Sequence, residues 1–159
     1  MGAEPSSAAS PLQRLRAFAE PEGPAPLDAV LAFYDELRPV EVDEMLGDWD
    51  GGLIETGHPG ESRLDRLRWA GKAFRAVDDI DPMICLDDQD ERYVSDVMGG
   101  AHLERAEFRR VSTATMKYDS HPVSDHFRRV SDDLVLGVMD REGEDQPLIF
   151  FLSRRGARG

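Results

Sequence analysis

From Gly47 onward the chain is cut into short segments of alternating polarity, separated by residues that make turns. "PMICL", "YVSDVM", "AHLERAEFRRV", "STATMKYD", "DLVLGVMD" and "PLIFFLS" are divided by breaks such as "DDQDE", "GG", "SDD" and "REGEDQ". Short strands at this spacing point to an antiparallel barrel or sandwich. In "STATMKYD", Ala114, Met116 and Tyr118 face opposite Thr113, Thr115 and Lys117, as in a sheet with one buried face. The glycines of "GDWDGG" permit a bend or a close strand crossing, and Trp49 either plugs one end of a barrel or lines its cavity. "ESRLDRLRWAGKAF" predicts one short helical turn before a strand near Trp69.

Before Gly47 the period is helical. Leu27, Val30, Leu31 and Tyr34 recur at i, i+3, i+4 and i+7 behind Pro26, which predicts an amphipathic helix ending before Pro39. A second short helix is expected over Glu41 to Leu46, stopped by Gly47. Residues 1–25 are rich in Pro, Ser, Ala and Gly and lack the basic start and apolar core of a signal peptide. They read as a flexible, dispensable tail in which Leu12 to Ala19 forms a loose helix. One mainly β domain is expected over 26–155, with a disordered end at 156–159.

Charge narrows the partners. The chain carries 32 acidic and 19 basic residues, a formal net of −13, and this field repels phosphate backbones and anionic membrane surfaces. Neither nucleic acid nor a membrane is expected as a partner. No apolar run reaches the roughly 20 residues that a membrane-spanning helix needs. The single cysteine, Cys85 in "PMICL", reads as a small buried hydrophobe and fits a reducing cytoplasm. His121 and His126 are five apart, and there is no H-E-x-x-H, calcium loop, G-x-G-x-x-G, phosphate loop or G-x-S-x-G elbow. Neither a metal nor a cofactor is expected.

The chemistry concentrates in "YDSHPVSDHFRR", Tyr118 to Arg129. Two readings stand open. Asp119 and Asp125 form a structural ion-pair network with Arg128 or Arg129, or Tyr118, His121 and Asp125 line a pocket as acid, base and orienting carboxylate. His58, in the turn "TGHP", can point into a barrel mouth or cap the turn. Lys72 lies beside Trp69 with Gly71 giving backbone clearance. It is either a surface residue laying its stem on the indole or a desolvated amine able to bind a carbonyl, hold a carboxylate or form a Schiff base. The candidate catalytic set is Tyr118, His121, Asp125, His58 and Lys72. Trp69, Arg128, Met116, Met139 and Trp49 are the candidate substrate-binding residues.

"GDWDG", "TGHP", "WAGKAF", "MKYDSHPVSDHFR" and "LGVMD" together resemble the bacterial and fungal GXWXG family joined to its usual C-terminal companion domain of unknown function. The resemblance runs from about Leu27 to Arg154 and departs at His126, where an aromatic is expected, and at Gly60, where a larger apolar residue is expected. It implies a small antiparallel, lipocalin-like β-barrel with one or two N-terminal helices covering one end, and no settled reaction. Two function classes follow. The first is a cofactor-independent acid/base enzyme, of cyclase, isomerase or dehydratase type, working in a dry cavity on a largely hydrophobic, oxygenated small molecule, as in secondary metabolism. The second is a non-catalytic carrier or sensor of a hydrophobic ligand such as a fatty acid or haem, with Arg128, Lys72 or His58 holding a carboxylate or an iron. A homodimer is compatible with either.

Overall fold

The computed structural model describes residues 9–19 and 23–156. Residues 1–8, 20–22 and 157–159, which hold most of the expected tail and C-terminal end, lie outside the described residues. Helices α1 (Pro11–Ala19) and α2 (Leu27–Glu36) come first, followed by the two-residue strand β1 (Arg38–Pro39) and a 3₁₀ turn over Val42–Met45. Strand β2 (Gly47–Ile54) leads to helix α3 (Gly60–Leu67). Then come β3 (Trp69–Ala76), β4 (Asp79–Leu86), β5 (Arg92–Val94), β6 (Ala101–Phe108), β7 (Val111–Tyr118), β8 (Val123–Ser131), β9 (Leu134–Arg141) and β10 (Leu148–Arg154).

The strands form one sheet in the order β5-β4-β3-β2-β10-β9-β8-β7-β6, with β1 paired to β8. Every pairing is antiparallel. The sheet curls into a half-barrel whose edges approach where the Leu103 N–H donates to the Val77 carbonyl, 2.7 Å. The expected mainly β, antiparallel, barrel-like fold is what the chain adopts.

Two apolar clusters lie on opposite faces of the curled sheet. The inner one gathers Met45, Trp49, Phe74, Met116, Phe127, Phe150 and Leu152. The outer one packs Val30, Phe33 and Tyr34 of α2 against Leu136, Val138 and Ile149. Strands β8 to β10 are therefore covered on both sides, which explains runs such as "LVLGV" that lack strict alternation. The helical elements divide the covering between them. The α2 helix lies across the outer face, while the 3₁₀ turn caps one end, its Met45 buried and its carbonyl accepting from Trp49 Nε1, 2.9 Å. Arg154 stacks on the Trp49 ring at 4.2 Å and donates to the carbonyls of Leu46 and Glu44, 2.9 and 2.8 Å.

The glycine motif serves close approach. A Cβ at Gly71 would collide with the Trp49 carbonyl, and one at Gly51 would enter the Trp69 ring. Only glycine lets β2 and β3 cross here with both indoles in place.

The N-terminal region departs from the tail expectation. The α1 helix buries Leu15, sets Phe18 against Phe33 (centroids 5.7 Å apart) and pairs Arg14 with Glu36 at 2.8 Å. Its apolar residues supply a face that composition alone undervalues. Removing residues 1–19 should therefore lower the melting temperature by several degrees, and Leu15→Ala should destabilise the fold by about 2 kcal/mol in a denaturant titration.

His126 points to the outer face, where its ring stacks on Phe108 at 4.0 Å and its Nδ1 lies 3.0 Å from the Thr115 hydroxyl. Burial lowers its pKa from 6.5 to about 4. The folded state resists protonating it, so the stability it lends is full above pH 6.5 and is lost as pH falls through about 4. His126→Phe keeps the stack and should be markedly less acid-sensitive than the parent chain. The difference should grow to the order of 2–3 kcal/mol between pH 7 and pH 4 in chemical unfolding.

Candidate functional site

One transverse row of the inner face explains the site. Register aligns Leu103 with Met116, Met116 with Asp125, Asp125 with Met139, and Met139 with Leu148. Directly opposed residues share a face. Asp125 is thus a carboxylate set between two methionines inside an apolar belt.

Its partner comes from across the barrel. A bulge in β3 between Trp69 and Gly71 lets Trp69 and Lys72, three residues apart, turn to the same side. Lys72 Nζ lies 3.2 Å from Asp125 Oδ2 and donates to Tyr118 Oη at 3.2 Å and to the Pro82 carbonyl at 3.1 Å. Three acceptors match the three N–H bonds of an ammonium. Tyr118 Oη reaches Asp125 Oδ2 at 3.5 Å, and the rings of Trp69, Tyr118 and Phe150 surround the amine with centroids 5.3–5.7 Å away.

All three polar groups are buried. Burial holds the Lys72 ammonium below its ordinary value and raises the Asp125 carboxyl, each opposed by the attraction of the other. Tyr118 is raised well above 10 by burial and by the neighbouring carboxylate, and stays a phenol. The second Asp125 oxygen, Oδ1, has no hydrogen-bond partner among the described residues. Arg128 Nε, on the outer face, is the other buried side-chain polar atom without a partner among the described residues, and of the two only Asp125 Oδ1 lies beside other titratable groups.

Above this cluster a cavity of about 730 Å³ opens at the barrel mouth. Leu64, Leu67, Met83, Met98, Met139 and Leu148 form its apolar wall. Lys72, Tyr118 and Asp125 themselves line neither cavity; Met139, which opposes Asp125 in register, and Met83, which follows the Pro82 that accepts from Lys72, are the lining residues that neighbour the cluster. His58 and Arg141 stand on the rim. The Gly60 N–H donates to His58 Nδ1 at 2.9 Å, which leaves Nε2 protonated and donating to Glu144 at 3.0 Å. Arg141 Nε pairs with the same Glu144 at 3.2 Å. A second cavity, about 370 Å³, lies on the side of the sheet against Trp69, Gly52, Leu53 and Leu64.

Of the expected catalytic residues, Lys72, Tyr118 and Asp125 meet, and His58 lies at the mouth above them. His121 does not join: it sits half-buried in the β7–β8 turn and makes none of the cluster's hydrogen bonds. Among the expected substrate-binding residues, Met116 and Met139 flank Asp125, and Trp69 covers Lys72. Arg128 is a correction. It lies three residues from Asp125, an odd step on a strand, and so projects from the outer face. There it donates to the carbonyls of Tyr34 and Leu37 at 3.1 and 3.0 Å and stacks on the Tyr34 ring, closing the end of α2. Trp49 is the second correction: it lines neither cavity and is buried at the plugged end.

The expected ion-pair network does not form either. Asp119 contacts His102 at 2.9 Å, and Arg129 contacts Glu44 at 2.7 Å. Arg141, Met83 and Glu144 are site residues that the sequence reading passed over. An arginine at the end of the apolar alternation in "DLVLGVMDR" was the one available signal for Arg141. Among the described residues no group of three His, Cys, Asp or Glu side chains is placed to hold a metal, and no helix is long and apolar enough to cross a membrane.

A curled antiparallel sheet with a plugged end, a polar centre and a cavity at its mouth defines the chain as a small, mainly β protein of half-barrel form. The chain belongs to the GXWXG family: the GXWXG protein model matches residues 32–90, and the domain of unknown function DUF4334 follows over residues 99–154. A crystal structure of a protein from Thermomonospora curvata is similar at a TM-score of 0.80 and 38% identity, over 83% of this chain and 89% of that one. No curated protein matches.

The buried pair allows a sharp test of cost. Removing one partner strands a charge, so Asp125→Ala should destabilise the fold by about 3–5 kcal/mol. The double variant Lys72→Met with Asp125→Leu should recover most or all of that loss, as measured by urea unfolding. A stabilised double variant would mean that the pair is retained at the expense of stability.

Proposed function

We propose that the chain is a cofactor-independent acid/base enzyme acting on a largely hydrophobic, oxygenated small molecule taken up at the barrel mouth. The observation that carries this reading is the free Oδ1 of Asp125, next to an amine and a phenol that already occupy Oδ2. A carboxylate oxygen without a partner is available to accept a proton or a ligand hydrogen bond. Burial moves the proton affinities of Lys72 and Asp125 toward each other, against the attraction of the pair, which favours proton exchange between them. Tyr118 serves as the donor that polarises a ligand oxygen. The methionine and leucine walls bind the apolar remainder of the molecule and exclude water from it.

A carrier of the same ligand class is the second reading, favoured by the size of the cavity alone. Native mass spectrometry of protein purified from its producing cells separates the two. An enzyme should carry product in the parent chain and precursor in Asp125→Asn, the two differing by a rearrangement or by the elements of water. With a substrate in hand, Tyr118→Phe and Asp125→Asn should each lower turnover by about 10²–10⁴ with little change in binding. The same molecule on parent and variant would establish the carrier.

A further inference from the structure

We propose that Lys72 is a nucleophile that forms a Schiff base, and that the molecule taken by the mouth cavity is an apolar aldehyde or ketone. This rests on the acid/base reading and adds a covalent step to it.

The choice of cation is the first support. The chain has nineteen basic residues, of which only Lys72 and Lys117 are lysines. Where it needs a buried structural cation it uses Arg128, whose fork reaches several backbone carbonyls. A brace to a carboxylate would also be served best by arginine, which binds both oxygens at once. Lys72 instead touches one oxygen of Asp125 and leaves the other bare. What lysine offers that arginine cannot is an amine able to lose its proton.

The neighbours are those that imine formation needs. The Lys72 ammonium passes a proton to Asp125 Oδ2, 3.2 Å away, and the free amine attacks the carbonyl carbon. The Tyr118 hydroxyl, 3.2 Å from Nζ, donates a hydrogen bond to the carbonyl oxygen as negative charge builds on it. One N–H proton then passes to that oxygen through the Tyr118 hydroxyl, giving a carbinolamine, and the proton held on Asp125 converts its hydroxyl to the departing water, leaving a protonated imine beside the Asp125 carboxylate. One C=N bond replaces one C=O bond, one water leaves, and no oxidant or reductant is consumed.

Charge favours a neutral carbonyl over a carboxylic acid. Lys72 already faces Asp125, so a carboxylate placed there would add a second negative charge to a matched, desolvated pair. Lys72 lines neither cavity, so a carbonyl reaches it by displacing Met83 and Met139, which line the mouth cavity and neighbour the Pro82–Lys72 and Asp125 contacts. Their unbranched side chains can swing aside with little strain.

The second lysine supplies an internal control, since Lys117 is half-buried, keeps 40% of its side chain accessible and pairs with Glu104 at 3.2 Å. The folded protein is incubated with octanal and sodium cyanoborohydride at neutral pH, and the alkylated peptides are mapped by mass spectrometry. Lys72 should be octylated about tenfold or more faster than Lys117 in the folded protein, and at a similar rate in denaturant. Met139→Phe should slow labelling of Lys72 and leave Lys117 unchanged. Labelling confined to Lys117 or the N-terminus overturns the proposal. Octanol, which lacks the carbonyl, separates the two readings: if it raises the melting temperature while Lys72 stays unlabelled, the cavity reading stands and the Schiff base fails. If neither compound binds and Lys72 stays unlabelled, both fail.

Discussion

Lys72 belongs to β3 and Asp125 to β8, and in the sheet these strands are separated by β2, β10 and β9. At about 4.8 Å per strand, a flat sheet would hold them roughly 19 Å apart. Their charged atoms are 3.2 Å apart. The pair can therefore exist only if the sheet rolls until its far strands face each other, and everything inside the roll is arranged around it. Phe74 of β3 and Phe127 of β8 make the same crossing, their centroids 6.1 Å apart with the rings edge to face. The apolar contact supplies most of the attraction that holds the curl, while the ion pair fixes which groups meet at its centre.

Rolling up the sheet leaves its convex side to be covered. Strands β8 to β10 present Val130, Leu136, Val138 and Ile149 outward, and α2 lays Val30, Phe33 and Tyr34 on them. The join between these layers is polar: Arg128 leaves β8 on the outer face and binds the carbonyls at the end of α2. One strand thus carries two buried charges of different purpose. Asp125 points into the barrel and Arg128 out of it, and strand parity alone decides which does which.

That parity accounts for much of what could and could not be read from the chain. The change of period at Gly47 and the burial of Met116 and Tyr118 on one side of β7 follow from alternation, whereas alternation leaves Lys72 open between surface and interior. Grouping Asp125 with Arg128 applied a helical spacing to a strand. His121 was grouped by nearness in sequence to residues that the β7–β8 turn points elsewhere. The hairpin between β6 and β7 was hidden for another reason: its turn is Arg109-Arg110, both at positive φ (51° and 70°), without the Asn or Gly that usually marks such a turn. Arg109 is held there by a two-pronged contact with Asp35 of α2 at 2.7 and 2.8 Å, a partner 74 residues away that no local pattern records. The bulge that turns Trp69 and Lys72 to the same side is equally nonlocal, since it depends on how β3 meets β4.

The two ends of the half-barrel are built from different materials. At the plugged end Trp49 is fixed by a hydrogen bond to Met45 and by the stacked guanidinium of Arg154, which is itself bound to two carbonyls. Such contacts hold one geometry. At the mouth the walls are methionine and leucine, the rim is a chain of charged groups, and the adjoining edge strand β5 is three residues long with Tyr93 and Val94 exposed. Thioether side chains rearrange at low cost, whereas a hydrogen-bonded plug does not. A polar cluster set between a rigid floor and a deformable lid is positioned from below and reached from above. The proton transfer we propose needs this combination, a Lys72–Asp125 geometry held constant beneath walls that can adjust.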